Sequence, residues 1–277
     1  MGVRFEHGGI ERMDGVRQAE SENRREGGAI VKIISLGWGV QSFTLAAMAA
    51  LGETEPVDAA IHADTAHEAS GTYEFARQWA PWLEERGVKV VTVQAPDAEP
   101  IDRFGGCMVP AFIDGHGVFS RQCTDNWKRK PIRRWLQANR SGQSVEMWLG
   151  ISLDEVPRMK PSDVQYITHR WPLIDRRMTR NDCVRWLERH GLPVPPKSAC
   201  TFCPYHSKAA WHDMRAEGGP DWQEAIQVDE AIRKARPPYD LFVHPSRQPL
   251  ALVDLSTPED NGQMVLWDAE CSGICGV

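Results

Sequence analysis

Apolar residues in this chain come in short β-branched runs separated by stretches with helical composition. Residues 1–28 show no apolar period and are rich in Glu, Arg and Gly, so they read as a flexible tail. At Ala29 the pattern changes. Ala29-Ile-Val-Lys-Ile-Ile34 is a short apolar, β-branched run, the signature of a buried parallel strand. A glycine-bearing turn follows, and Ser42–Ala50 consists largely of strong helix formers. Val57–His62 predicts a second strand, Gly71–Arg86 a helix closed by Gly87, and Val88–Val93 a third strand. Residues 100–122, with several glycines, predict an irregular loop. Beyond them, Lys130–Asn139 predicts a helix opening near Pro131, Val145–Ile151 a strand, and Arg180–His190 a helix stopped by Gly191. Trp222–Lys234 reads as a further helical segment.

Such alternation predicts an α/β fold, a parallel twisted sheet with helices on both faces. The expected organisation is an α/β domain over 29–192 and a cysteine-bearing C-terminal segment over 193–277. A length of 277 residues with 42% hydrophobic content suits one such domain plus an appendage. The net charge of −6 argues against a protein that coats nucleic acid through bulk electrostatics. Local patches remain open to phosphate, notably Lys128–Arg134 and Arg176, Arg177 and Arg180, although such runs are as often solvated helix faces. No apolar run approaches the ~20 residues of a membrane span, and the start of the chain lacks the apolar stretch of a signal peptide. Cytoplasmic residence is the expectation. The seven cysteines are odd in number and widely spread, which suits ligands or catalysts better than a disulfide framework.

Candidate chemistry begins at Ser35-Leu-Gly-Trp-Gly-Val-Gln-Ser42. Gly37 and Gly39 let the backbone approach a ligand, Ser35 and Ser42 add hydroxyls, and the helix behind offers N–H groups and a positive dipole end. An ordinary glycine-bearing βα turn reads the same way. The Walker lysine and the Rossmann glycine spacing are both absent. Asp64 and Thr65, in His62-Ala-Asp-Thr-Ala-His-Glu68, follow the second strand, at the sheet edge where ligands bind; Asp64 would serve equally as a helix N-cap. Cys200-Thr-Phe-Cys203 aims two sulfurs at one metal or cluster, with zinc, iron–sulfur and dithiol chemistry all open. Cys123 lies in Arg121–Ile132, Cys271 and Cys275 close the chain, Cys183 reads as core, and Cys107 has no assigned role. His169, His206 and His212 and most of the tryptophans read as structural by default.

Several segments resemble one family. The loop resembles the PP-loop, written SGGxDS, of the adenine nucleotide alpha-hydrolase superfamily, with Gln41 in place of the motif's aspartate. His62–Glu68 resembles that family's ADTG-type turn, and Gly150-Ile-Ser-Leu-Asp-Glu-Val-Pro-Arg158 the GIRxxES-R segment of sulfonucleotide reductases. The cysteine layout is similar to that of assimilatory adenylyl-sulfate reductases, whose CC pair precedes an RKxPL-like stretch and a distant CxxC. Here Gln122 takes the first cysteine's place.

The resemblance is to the phosphoadenylyl-sulfate-reductase-like group, with its HUP-like sheet. It implies ATP or adenylyl sulfate on Ser35, Gly37, Gly39, Gln41, Ser42, Asp64, Thr65, Gly150 and Arg158, with Mg²⁺ on Asp154 or Glu155. It also implies a [4Fe-4S] cluster on Cys123, Cys200, Cys203 and Cys271, Cys275 being the rival fourth ligand, or three thiolates and an open iron. Cys275 and Asp64 are the implied catalytic groups. Three activities follow from it: ATP-dependent thiolation of a nucleic acid with a sulfur donor, adenylyl-sulfate reduction with an electron donor protein, or a non-catalytic nucleotide-binding accessory role.

Overall fold

A computed structural model of the protein describes residues 30–115, 117–119, 122–257 and 260. Its strands are β1 (Ile30–Ser35), β2 (Ala59–Asp64), β3 (Val90–Gln94), β4 (Ala111–Ile113), β5 (Val118–Phe119), β6 (Ser144–Leu149), β7 (Ile167–Arg170) and β8 (Leu241–Phe242). Its helices are α1 (Val40–Ala50), α2 (Ser70–Glu84), α3 (Lys130–Asn139), α4 (Pro172–Asp175), α5 (Arg180–Arg189), α6 (Lys208–Glu217) and α7 (Pro220–Ile232). They fall into two compact units. Among the described residues, one takes 30–63, 71–93 and 132–198, and the other takes 64–70, 94–131 and those from 199. This interleaved division differs from the linear split at 192/193, because two insertions leave the parallel sheet and pack with the C-terminal part.

The first unit is the expected α/β fold. Its sheet runs β3-β2-β1-β6-β7, and the pairs β1–β2, β1–β6 and β6–β7 are parallel. Side chains alternate between two apolar layers. Ile34, Ala60 and Trp148 face a layer with Phe43 and Leu45 of α1, Phe75 and Leu83 of α2, and Cys183 and Leu187 of α5. Ile33, Ile61, Val145 and Met147 face the opposite layer with Ile132, Trp135 and Leu136 of α3. Two-sided burial explains why β1 and β2 are mostly apolar, with Lys32 in β1 and His62 in β2 the polar interruptions. β7 escapes that pattern, because Ile167-Thr-His-Arg170 buries only Ile167. α5 starts at a full capping box, with Thr179 accepting from the Asp182 N–H and the Asp182 carboxylate from the Thr179 N–H.

The second unit is built from short pieces. β5-β4-β8 form an antiparallel sheet, although 100–122 read as irregular in sequence. Strands of two and three residues are too short to show a period of two. Trp127, Phe202, Trp211, Trp222, Leu241 and Leu250 form its core. Ser207 caps α6 by accepting from the Ala210 N–H, and Gly218 ends it in the left-handed region at φ 61°. Among the described residues no helix is long and apolar enough to cross a membrane.

Candidate functional site

In the first unit the chain runs β1, β2, β3 toward one edge and then returns to lay β6 and β7 on the other side of β1. The order therefore reverses between β1 and β6. In open α/β sheets that point, at the carboxyl ends of the strands, is where ligands bind. Residues 36–39 leave β1 there, and Gly150 leaves β6 beside them, Ser35 and Leu149 being paired. A Cβ on Gly150 would lie 2.7 Å from the Ser42 amide nitrogen and 2.8 Å from its Cα, so only glycine lets β6 pass the start of α1.

Gly37 and Gly39 differ from Gly150. A Cβ at either would meet its nearest neighbour at 3.8 and 3.7 Å, ordinary contact distances. Gly39 is extended (φ −86°, ψ 171°) and supplies no side-chain cap to α1. The fold therefore needs no glycine at 37 or 39, and the bare backbone there leaves the first N–H groups of α1 approachable. Trp38 between them holds φ 59° and is 1% exposed. Its ring packs on Phe43, His62 and Phe75 at 6.3 to 6.4 Å and anchors the loop. Nothing in the sequence singled it out, except its position between two glycines.

The other expected ligand groups of this unit are partly engaged already. The Ser42 hydroxyl accepts from the Gly37 N–H and donates to the Gly39 carbonyl, at 3.1 and 3.2 Å. Gln41 donates to Ser152 Oγ at 3.3 Å. Arg158 pairs with Glu155, whose carboxyl is pushed up by burial against the pull of that guanidinium. Asp154 accepts from the Arg180 N–H at 3.0 Å and so serves the start of α5.

The remaining candidates among the described residues lie in the second unit. Asp64 accepts from the Ala66 N–H at 2.8 Å, and Ala66 takes φ 64°, in the left-handed region. Segment 64–70 then pairs with the cysteine turn: the Thr201 N–H donates to the His67 carbonyl at 2.9 Å and the Ala69 N–H to the Ala199 carbonyl at 3.0 Å. This places Thr65, which is 1% exposed, beside sulfur. Its hydroxyl lies 3.4 Å from Cys200 Sγ and 3.4 Å from Glu68 Oε1. Lys128 Nζ donates to Glu68 at 3.1 Å.

Cys123 and Cys200 pack on the same core. Cys123 opens a π-helical turn, Thr124–Arg129, that carries Lys128. Cys200 and Cys203 are joined by a turn in which the Cys203 N–H donates to the Cys200 carbonyl at 3.0 Å. Burial pushes the Cys200 thiol up to about 12; Glu68 and Cys123 add to the rise, while Lys128 and the Thr65 hydroxyl oppose it. Burial lowers the Lys128 ammonium, yet Glu68, Cys200 and Cys123 drive it up overall. Cys200 and Cys123 are thus within electrostatic reach of each other and of one cation. Cys107 lies in the same core, its thiol donating to the Val109 carbonyl at 3.2 Å; burial raises it to about 11, and Cys123 adds to the rise. Cys183 is core, as expected.

The donor set suits a thiolate-held centre in kind: Cys123, Cys200 and Cys203 in one unit, a hydroxyl against one sulfur, and an ammonium to offset negative charge. Among the described residues no three Cys, His, Asp or Glu side chains are gathered closely enough to hold a metal ion. Cys271 and Cys275 lie outside the described residues. His206, by contrast, is at the turn, its ring 2.9 Å from the Cys200 carbonyl.

No protein-family model matches the chain, and no curated protein sequence matches it. Among solved structures, the phosphoadenylyl-sulfate (PAPS) reductase of Candida auris, in a phosphate complex, is similar at a TM-score of 0.42 and 14% identity, over 70% of this chain and 92% of that one. The U34-tRNA thiolase NcsA of Methanococcus maripaludis, with its [4Fe-4S] cluster, is similar at a TM-score of 0.42 and 14% identity, over 80% of this chain and 74% of that one.

Proposed function

We propose that the chain is a PP-loop enzyme of the phosphoadenylyl-sulfate-reductase-like group that transfers sulfur at the expense of an adenine nucleotide, with a nucleic acid as the leading substrate class. The observation that carries the reading is the glycine-bearing loop 36–39 at the point where strand order reverses, backed by Gly150. There the first N–H groups of α1 and its positive end meet phosphate charge without a lysine. Asp154 and Glu155 already serve α5 and Arg158, so the nucleotide is expected to bring its own Mg²⁺.

Cys123, Cys200, Cys203 and Cys271 are the proposed ligands of an iron–sulfur cluster. When bound, such a cluster supplies a carrier for sulfide or electrons. Around it Lys128 offsets thiolate charge, and Thr65 donates to the Cys200 sulfur once that thiol has lost its proton. Asp64 holds the turn that presents Thr65. In the transfer itself, a carbonyl oxygen of the substrate attacks the α-phosphorus of ATP and pyrophosphate leaves. A persulfide on Cys275, loaded by a donor protein, then attacks the adenylated carbon and AMP leaves. A second thiol attacks the Cys275 sulfur of the resulting disulfide, so the outer sulfur stays on the substrate as a thiocarbonyl and an external thiol reductant restores Cys275.

Protein purified without oxygen should hold iron and acid-labile sulfide, and should release AMP and pyrophosphate from ATP when nucleic acid and sulfide are supplied. Sulfite released from adenylyl sulfate would make it a reductase instead. Absence of both iron and nucleotide binding overturns the reading.

A further inference from the structure

His67 is a half-buried histidine whose two ring nitrogens both face acceptors. Nε2 lies 2.6 Å from the Ala98 carbonyl oxygen, and Nδ1 lies 2.7 Å from Glu224 Oε1 on α7. A carbonyl has no proton to give, so Nε2 carries one. Nδ1 meets a carboxylate whose other oxygen, Oε2, accepts from the Thr201 hydroxyl at 2.6 Å. The imidazole is held between the Trp127 and Phe202 rings, at centroid distances of 5.6 and 5.0 Å. Thr201 and Phe202 are the two residues between Cys200 and Cys203, and both are buried.

We infer that His67 is an imidazolium paired with Glu224, and that this pair is a positioning device acting through Thr201 on the Cys200–Cys203 turn. Three parts of the second unit meet at it: segment 64–70, α7 and the turn. Ser70 adds a second tie to α7, donating to Asp221 through its N–H at 2.9 Å and through its hydroxyl. The brace fixes the direction in which the two sulfurs leave the turn. Glu99 is the other charged group that acts on the ring. Burial drives the His67 ring down, yet Glu224 and the Ala98 carbonyl reverse this and raise it overall; Glu224 moves oppositely.

The inference rests on Cys200 and Cys203 being the working thiols, and its test needs neither nucleotide nor metal. In the full chain treated with a chelator, ¹⁵N NMR should find the His67 ring losing its second proton only above the ordinary 6.5, and Glu224→Gln should bring that midpoint down. Thr201→Val keeps the side-chain shape and loses the hydroxyl. It should leave the imidazolium in place but raise the rate of iodoacetamide alkylation at Cys200 or Cys203 about tenfold, the weight of one hydrogen bond to a charged acceptor. Thr201→Ser, which restores the hydroxyl and drops the methyl, should return the rate toward wild type. A His67 ring that titrates at or below the ordinary 6.5 overturns the inference, as does a Thr201→Val rate equal to wild type or a Thr201→Ser rate equal to that of Thr201→Val. Failure of iron binding leaves this result standing, so the two readings fail separately.

Discussion

Gly150→Ala offers a sharp test of how the first unit is assembled. The added methyl would lie 2.7 Å from the Ser42 nitrogen, 2.8 Å from its Cα and 3.0 Å from the Gln41 carbonyl carbon. All three are backbone atoms at the start of α1, so no side-chain rotation relieves the clash. Overpacking a core by one methyl typically costs about 1–3 kcal/mol, and a contact with backbone alone belongs at the upper end, near 3 kcal/mol. At about 2–4 °C per kcal/mol for a domain of this size, the melting temperature should fall by about 6–12 °C. If the structure yields instead, the N–H groups at the head of α1 shift, and ATP affinity should drop at least tenfold. Gly37→Ala and Gly39→Ala are the controls. Their Cβ atoms find ordinary space, so stability should stay within about 1 kcal/mol of wild type while ATP binding still weakens. Scanning calorimetry and titration calorimetry read the two effects separately. A Gly150→Ala protein with unchanged melting and unchanged binding would refute the assembly of β6 against α1. Gly37 and Gly39 variants that unfold as readily as Gly150→Ala would remove the argument that those glycines serve a ligand.

Three further outcomes follow from named contacts. Trp38→Ala should lose about 3–5 kcal/mol of buried aromatic packing, whereas Trp38→Gly should be at least as stable as Trp38→Ala, because Trp38 sits at φ 59° and glycine meets no strain there; urea denaturation giving the opposite order refutes this. Lys128→Met leaves Glu68, whose side chain is 1% exposed, without its ammonium. Since Lys128 itself is 34% exposed, the usual ~3–5 kcal/mol for breaking a buried pair shrinks to about 2 kcal/mol, and adding Glu68→Gln should recover part of it in a double-mutant cycle. For the brace, the raised His67 value means stability that is complete below the ordinary 6.5 and lost as pH rises through the higher folded value. The lowered Glu224 value means stability present above the ordinary 4.5 and lost as pH falls through the lower folded value. The urea-midpoint gap between wild type and Glu224→Gln should therefore be widest near pH 4.5–6.5 and should narrow on either side. A gap that widens steadily above pH 8 contradicts the pairing.

What the sequence determined by itself is what local composition encodes. Ala29–Ile34, Val57–His62 and Val145–Ile151 announced strands because two-sided burial demands short runs rich in apolar residues, and the intervening helices made the sheet parallel. Ser35–Ser42 and Cys200–Cys203 were legible because their groups are brought together by a few bonds of backbone. Tertiary structure alone decided the rest. The β4, β5 and β8 strands were invisible because pieces so short carry no period. Thr65, read as a nucleotide contact, lies against Cys200, because segment 64–70 pairs with the cysteine turn. Lys128 finding Glu68, and His67 finding Glu224 and Ala98, depend on residues far apart in sequence. Local propensity carries no information on such pairs. Folding makes them when burial removes water from a charge and leaves one remote partner to satisfy it.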